Sequence, residues 1–371
     1  MIPYILLVVC SFFFCHVAMR IKNGERFVCI GNNEYTQDQN WGFAVFFIML
    51  LGLLACRDIS VGNDTGSYAY YFEKYNSLSF SQVVQGEYDV LYGVLNWIIG
   101  RFTSEFQVLL FIVALVTVLP IARLYMEDRQ KSYLQILLFL CIPFFEMMFS
   151  GIRQAIACSI GVIAYRYVKK RNILIYLLCV IAAWGIHSTS FILLAMYPVY
   201  HMRVKKKHLL FIVPVIAMLF IFNKPVFLNL TRIMFFFSKD IGNIKTTATG
   251  AFAFLLLLGM FAAVAYIIPD ERKMDRELYG LRNLLLLSVM LQCFAPIHNI
   301  AMRVNYYYLL FVPVTMAKVL SIPASRYRKV ASKIAMVLCV FFTFYFLYSI
   351  NLAASTGDML HIVPYLPFWE G

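Results

Sequence analysis

The chain has 371 residues, of which 62% are hydrophobic and only 14% charged, with a mean hydropathy of +0.75. A soluble domain of this length has no interior large enough to hide so much apolar surface, so lipid must solvate most of it. The formal charge of +13 would suit nucleic acid in a soluble protein. In a membrane chain the placement of Lys and Arg reports orientation instead, and no nucleic-acid partner is expected.

A bilayer core about 30 Å thick asks for about 20 apolar residues per helix, fewer where a helix is buried in a bundle. The first apolar run, 2–19, has no basic residue before it, and Arg20, Lys22 and Arg26 follow it. With no small-residue cleavage pattern, it predicts an anchor and not a removable signal peptide. Runs at 41–56, 104–122, 132–149, 152–168, 172–186, 187–200, 208–222, 250–269, 281–298, 304–320 and 334–353 bring the predicted membrane helices to about twelve. The stretch 90–100 is short for a span and reads as interfacial or re-entrant. The expected fold is all-α, one polytopic membrane domain over 1–371, with no linker, repeat or low-complexity tract dividing it.

With the amino terminus outside and twelve spans alternating, twenty-three of the 32 Lys and Arg fall in inner loops. That bias puts loops 57–103 and 223–249 and the tail 354–371 on the outer face. Loop 57–103 is expected to carry short helices at the headgroup level, with Asn63 or Asp64 as a cap and Tyr68, Tyr70, Tyr71 and Tyr75 as interfacial aromatics. Basic segments flank 172–200, which predicts a tight hairpin with Gly185, His187 and Ser188 near its outer tip. Nine cysteines, without a Cys-x-x-Cys pair, read as small packing residues.

This topology gathers Arg57, Asp58, Asp64, Glu87, Asp89, Glu146, Arg153, His187, His298 and Arg303 at or near the outer boundary. Ionisable groups at membrane depth cost a few kcal/mol, so their retention there invites a functional account. Each also has a plainer one. Arg153 opens an apolar helix, where a cation opposes the macrodipole; it either holds a phosphate with bidentate geometry or snorkels to lipid headgroups. His187 precedes Ser188-Thr189-Ser190 and is either a helix-start residue or a proton acceptor. Arg57 and Asp58 either close the second span or join the site; Asp64 either caps or acts; Arg303, ahead of Tyr306, Tyr307 and Tyr308, fits an interfacial belt or a ligand site. The chain has no Gly-x-x-x-x-Gly-Lys loop, no His-Glu-x-x-His and no Asp-x-Asp, so nucleotide hydrolysis, zinc hydrolysis and metal-bound nucleotide-sugar transfer lack their usual residues.

Taken together, Arg57-Asp58-x-x-Val61-Gly62-x-Asp64-Thr65-x-x-Tyr68, Phe149-Ser150-x-Ile152-Arg153-Gln154-Ala155-x-Ala157, His187-Ser188-x-Ser190 and Arg303-x-x-x-Tyr307 resemble the EpsG-type, Wzy-like family of exopolysaccharide and capsule polymerases. The resemblance implies an inverting, metal-independent glycosyl transfer at the outer face of the bacterial cytoplasmic membrane. Its substrate would be an oligosaccharide repeat unit on undecaprenyl pyrophosphate, with no cofactor, and with a flippase and a chain-length regulator as candidate partners. On that reading Arg153 and Arg303 face the pyrophosphate, with Arg57 as a third cation there or a support for Asp58; Asp64 or His187 is the base, and Asp58, Gln154, Tyr68 and Tyr307 support them. A lipid-linked oligosaccharide flippase, a ligase or an acyltransferase are the competing expectations.

Overall fold

The computed structural model describes residues 1–22, 39–86, 89–127, 130–234, 249–357 and 360–370. Its described residues are helical, without a strand beyond two isolated bridges. The helices are α1 (Ile2–Lys22), α2 (Gln39–Ala55), α3 (Thr65–Ser77), α4 (Phe80–Val84), α5 (Val90–Gly100), α6 (Phe106–Glu127), α7 (Ser132–Cys141), α8 (Pro143–Ser150) and α9 (Ile152–Lys169). They continue as α10 (Ile173–Ile186), α11 (Met196–His201), α12 (Leu209–Ile221), α13 (Asn223–Met234), α14 (Thr249–Ile267), α15 (Arg276–Gln292), α16 (Asn299–Leu309), α17 (Val312–Ser321) and α18 (Arg328–Thr356). The short helices expected in loop 57–103 are α3, α4 and α5.

The chain forms two compact units, one of 1–162, 185–187 and 333–371, the other of 163–184 and 188–332. In the first, α1 packs on α2, α2 on α6, and α7 against both α1 and α2. Aromatic residues fill the space between them: Tyr125 and Phe139 meet edge to face at 5.6 Å, and Phe47 joins both. Cys15 is buried where α1 passes α2, since a Cβ on Gly42 would lie 2.2 Å from its sulfur. The eight described cysteines are free thiols, in keeping with a packing role. On α18, Phe342, Phe346 and Ile350 recur every fourth residue as a buried stripe, while Val337, Val340, Phe344 and Tyr348 stay exposed. That distribution suits a helix with one face on protein and one in lipid.

In the second unit α15 is central, touching α11, α12, α14, α16 and α17. Gly280 admits it close to α11, for a Cβ there would lie 2.1 Å from Tyr200. The expected hairpin over 172–200 is present: the Tyr176 hydroxyl donates to the carbonyl of Leu193, and the Tyr176 and Tyr197 rings lie 5.4 Å apart. Its returning limb starts as a 3-10 segment, Ser188–Ala195, before α11.

The chain is a multi-pass membrane protein, but its helices do not reproduce twelve single spans. Three described segments are long and apolar enough to cross a membrane alone: Phe106–Glu127, Gly250–Ile267 and Ser325–Thr356. Two bent pairs, Ser132–Cys141 with Pro143–Ser150 at 60° and Lys206–Ile221 with Asn223–Leu230 at 83°, raise this to five if each is one span. Breaks inside the apolar runs account for the difference. Ile142, ahead of Pro143, is extended (ψ 144°), as a residue before proline must be to avoid its ring. Run 304–320 divides between α16 and α17, with Pro313 in the first turn of α17. Most of the loop 20–40 expected inside, residues 235–248 of the loop expected outside, and Glu87 lie outside the described residues.

Candidate active site

The site in the first unit begins with two sequence motifs docking onto each other. The loop 57–65 must pass tightly over the end of α8, and Gly62 makes that possible. Its φ is +97°, and a Cβ there would stand 2.3 Å from the Phe149 carbonyl oxygen. Only glycine meets both conditions without strain. The Asn63 N–H donates to the Ser150 hydroxyl at 3.0 Å, and the Thr65 hydroxyl donates to the Val61 carbonyl at 2.7 Å while lying 3.3 Å from that of Phe149.

The carboxy-terminal tail holds this junction from the other side. Gly62 and Asn63 donate to the carbonyls of His361 and Leu360 at 2.9 and 3.0 Å, and the Ser150 hydroxyl donates to Leu360 at 3.1 Å. Asp58 N–H donates to Leu366 at 2.8 Å, Phe368 N–H to Cys56 at 2.9 Å, and Tyr4 hydroxyl to Ile362 at 2.7 Å. The tail carries no recognisable motif, yet its backbone is what the loop pairs with.

Above the junction lies a cavity of about 230 Å³, lined by Asp64, Ser67, Tyr68, Tyr71, Tyr75, Tyr92 and Arg153. At about 30 Å³ per water molecule, this is room for about eight waters, the scale of one sugar ring or a pyrophosphate. Arg153 reaches it from the first turn of α9. Its guanidinium stands 6.0 Å from the Tyr68 ring centre and 5.9 Å from that of Tyr92, between two π-faces that favour a cation. The Tyr68 phenol is hydrogen-bonded to Arg153, and burial pushes its pKa up, so it stays neutral and keeps its proton. Asp64 occupies the N-cap position of α3, but its side chain makes no capping bond and instead lines the cavity.

Beside the cavity, Asp89 joins Arg153 to His187. Asp89 Oδ2 is 3.5 Å from Arg153 Nη1 and 3.6 Å from His187 Nδ1, with all three side chains a quarter exposed or less. His187 is delivered by the tip 185–187, which clusters with the first unit. Gly185 lets the tip approach α5: a Cβ on it would be 2.6 Å from Leu91. The arrangement can hold an anion at Arg153, accept a proton at Asp64 or His187, and pack a sugar ring against tyrosine faces.

The other expected site residues are placed differently. Arg57 is 2% exposed, donates from Nη1 to the Leu54 carbonyl at 2.5 Å, and lies 5.9 Å from the Phe149 ring. Burial lowers its pKa to about 10. Its Nε and Nη2 have no hydrogen-bond partner among the described residues, and it does not line the cavity. Asp58 accepts from the Ser60 N–H at 2.9 Å in a local turn, and the Ser60 bonds hold its carboxyl below the usual range. Gln154 is buried beside Arg153 in α9. Arg303 is exposed on α16, in the second unit. There the Tyr307 hydroxyl lies 3.1 Å from Thr189 Oγ1, joining α16 to the 3-10 segment within that unit. His298 caps α16 by accepting from Ile300 N–H at 3.0 Å, and Glu146 is exposed on α8.

Sequence reasoning placed Asp89 at the outer boundary without a role and passed over Tyr92. The signal for Asp89 was its charge beside a short apolar helix; nothing in the spacing pairs it with residues 64 and 98 positions downstream.

No curated protein and no solved structure matches the chain. The family model of the EpsG family matches residues 40–366, from the start of α2 into the tail that clasps loop 57–65. With nearly its whole length so matched, the chain belongs to the EpsG family, a family of Wzy-like polysaccharide polymerases.

Proposed function

We propose that this chain polymerises lipid-linked oligosaccharide repeat units into an exopolysaccharide, capsule or O-antigen-like glycan at the outer face of the bacterial cytoplasmic membrane. The supporting observation is the grouping of Arg153, Asp89 and His187 beside a tyrosine-walled cavity that Asp64 also lines. Family membership supports the polymerase class. In the proposed topology about twelve crossings, some made by short or bent helices, leave loop 57–103, His187 and the tail outside.

The reaction is an inverting transfer from undecaprenyl pyrophosphate. The acceptor sugar hydroxyl attacks the anomeric carbon of the growing chain, a C–O bond forms, and the C–O bond to pyrophosphate breaks with its electron pair leaving on the phosphate. The hydroxyl proton passes to His187 or Asp64. Pyrophosphate is a competent leaving group, so the protein chiefly has to position two substrates and stabilise developing charge, which arginines can do without a metal. Arg153 takes the leaving anion. Arg57, enclosed under the loop, braces the motif that presents Asp64. Asp58 and Gln154 steady their own segments, Tyr68 aims Arg153, and Tyr307 fixes the segment after His187.

Reconstitution of the purified chain in liposomes tests this, with lipid-linked repeat unit supplied outside and no nucleotide. A ladder of elongated products is expected, falling about 10²–10³-fold for Arg153→Ala, the usual cost of removing one charge-stabilising donor. Labelled unit that becomes protected from external enzymes without elongating would point to transport. Wild-type ladders from correctly inserted Arg153→Ala protein would falsify the assigned anion site.

A further inference from the structure

We infer that Asp89 is the positioning residue that selects His187 as the base and holds Arg153 beside it, an inference that rests on the polymerase reading above. The geometry is that of one carboxylate oxygen shared between a guanidinium and an imidazole on different elements. Asp89 Oδ2 stands 3.5 Å from Arg153 Nη1, at the start of α9, and 3.6 Å from His187 Nδ1, at the hairpin tip. Asp89 itself immediately precedes α5, whose first turn is anchored on its carbonyl by the N–H groups of Tyr92 and Gly93 at 3.0 and 3.2 Å. The carboxylate is thereby fixed by helix α5, which packs on α3 and α4. Three segments far apart in sequence therefore converge on one side-chain oxygen.

A carboxylate facing one imidazole nitrogen does two things. It makes the tautomer with the proton on Nδ1 the favoured neutral form, so that Nε2 becomes the acceptor. It also stabilises the imidazolium that forms once Nε2 has taken the acceptor hydroxyl's proton. As the new glycosidic bond forms, the proton moves to His187 Nε2 and the pyrophosphate leaves toward Arg153. Asp89 gains no proton; it balances the positive charge on both neighbours. Asp64 lines the cavity beside this trio, whereas His187 is the candidate base that faces a carboxylate. This distinction favours His187 over Asp64 as the group whose basicity the fold supports. The other titratable groups around the trio are Tyr68 and Tyr75 from α3 and Tyr92 from α5, which adjoin Arg153.

The test uses the full chain in liposomes with lipid-linked repeat unit. Asp89→Asn, isosteric but neutral, is expected to lower kcat about 10²-fold or more, within the usual range for general-base catalysis. KM should change far less. The remaining activity should depend differently on pH, because an imidazole without its carboxylate is a weaker base. The variant pair Asp89→Asn with His187→Ala should lose less than the product of the two single losses, since the part of the Asp89 effect that runs through His187 has nothing left to act on and only its hold on Arg153 remains.

Near-wild-type turnover of Asp89→Asn overturns the inference, and so does an additive loss in the double variant. Loss of activity in His187→Ala together with an unaffected Asp89→Asn leaves the polymerase reading standing and removes only Asp89. Wild-type turnover of His187→Ala removes His187 as base and the inference with it, while Arg153→Ala still reports on the polymerase reading. A measurement on the wild-type chain stands independently of any variant's folding. Nitrogen-15 NMR of the His187 ring in nanodiscs should show the proton on Nδ1 in the neutral form, and a proton on Nε2 there overturns the assignment.

Discussion

The two units bury polar groups in opposite ways. In the second, Ser288, Asn305 and Gln292 are fully enclosed and consume one another: Ser288 donates to Asn305 at 2.8 Å, Asn305 to Gln292 at 3.0 Å, and Gln292 to the Ala251 carbonyl at 3.2 Å. Arg282, also fully enclosed, donates to the Val204 carbonyl at 2.9 Å and lies 3.9 Å from the Tyr266 ring. These chains of bonds tie α14, α15 and α16 together, which is how polar side chains stabilise helices that lipid gives no hydrophobic reason to associate. In the first unit the charged groups instead border a cavity, and Asp64, Asp89 and Arg153 are only partly covered. A closed polar network is architecture; a partly open one beside a void has capacity for a ligand.

The largest effect that would sharpen this contrast is expected at Gly62. Alanine there meets both a left-handed backbone and the Phe149 carbonyl at 2.3 Å, a backbone atom that cannot swing aside. Together these cost about 3 kcal/mol. Because the loop carries Asp64 and Tyr68 into the cavity, ladder formation per inserted molecule should drop at least tenfold, and thermal unfolding in detergent should shift downward. A Gly62→Ala chain with full activity would mean the junction does not shape the site.

Gln292→Leu should do the reverse. Removing this amide leaves the Asn305 Nδ2 donor and the Ala251 carbonyl without it, a loss of about 1–2 kcal/mol between helices. Unfolding in detergent should come earlier, with turnover per folded molecule unchanged. If turnover fell as well, the division between architectural and functional polar groups would break.

How far the amino acids foretold this arrangement depends on the range of the interaction. Helical content and the hairpin tipped by His187 could be read directly, because each is local or rests on hydropathy and charge flanks. Span number could not. A hydropathy run does not register that Ile142 is forced extended by Pro143, or that 304–320 breaks between Leu309 and Val312. Arg57 looked like a ligand because charge at a helix end is usually accessible, whereas packing under Phe149 and the tail encloses it. The partners of Asp89 and of the tail 360–370 were not legible for the same reason, since they are fixed only by tertiary contact.

The smallest effect expected concerns an ion cluster of the second unit. Glu277 stands ahead of the apolar run at 281–298, with Lys318 Nζ at 2.7 Å and Lys169 Nζ at 2.9 Å. Burial alone would raise its pKa, but the two ammonium groups outweigh burial and hold the carboxyl at about 2. A carboxyl depressed on folding contributes stability that is complete above its unfolded pKa and is lost as pH falls toward the folded one. Neutral Glu277→Gln should unfold earlier than wild type near pH 7, because both lysines lose their partner. The gap should begin to narrow between pH 5 and pH 4 and continue narrowing toward pH 2, as unfolded wild-type chains take up the proton that folded ones refuse. Ladder formation at pH 7 by folded Glu277→Gln protein should match wild type, since the cluster joins α9, α15 and α17 and borders no described cavity. A gap that stays constant with pH would show that the cluster stabilises through packing and not through charge.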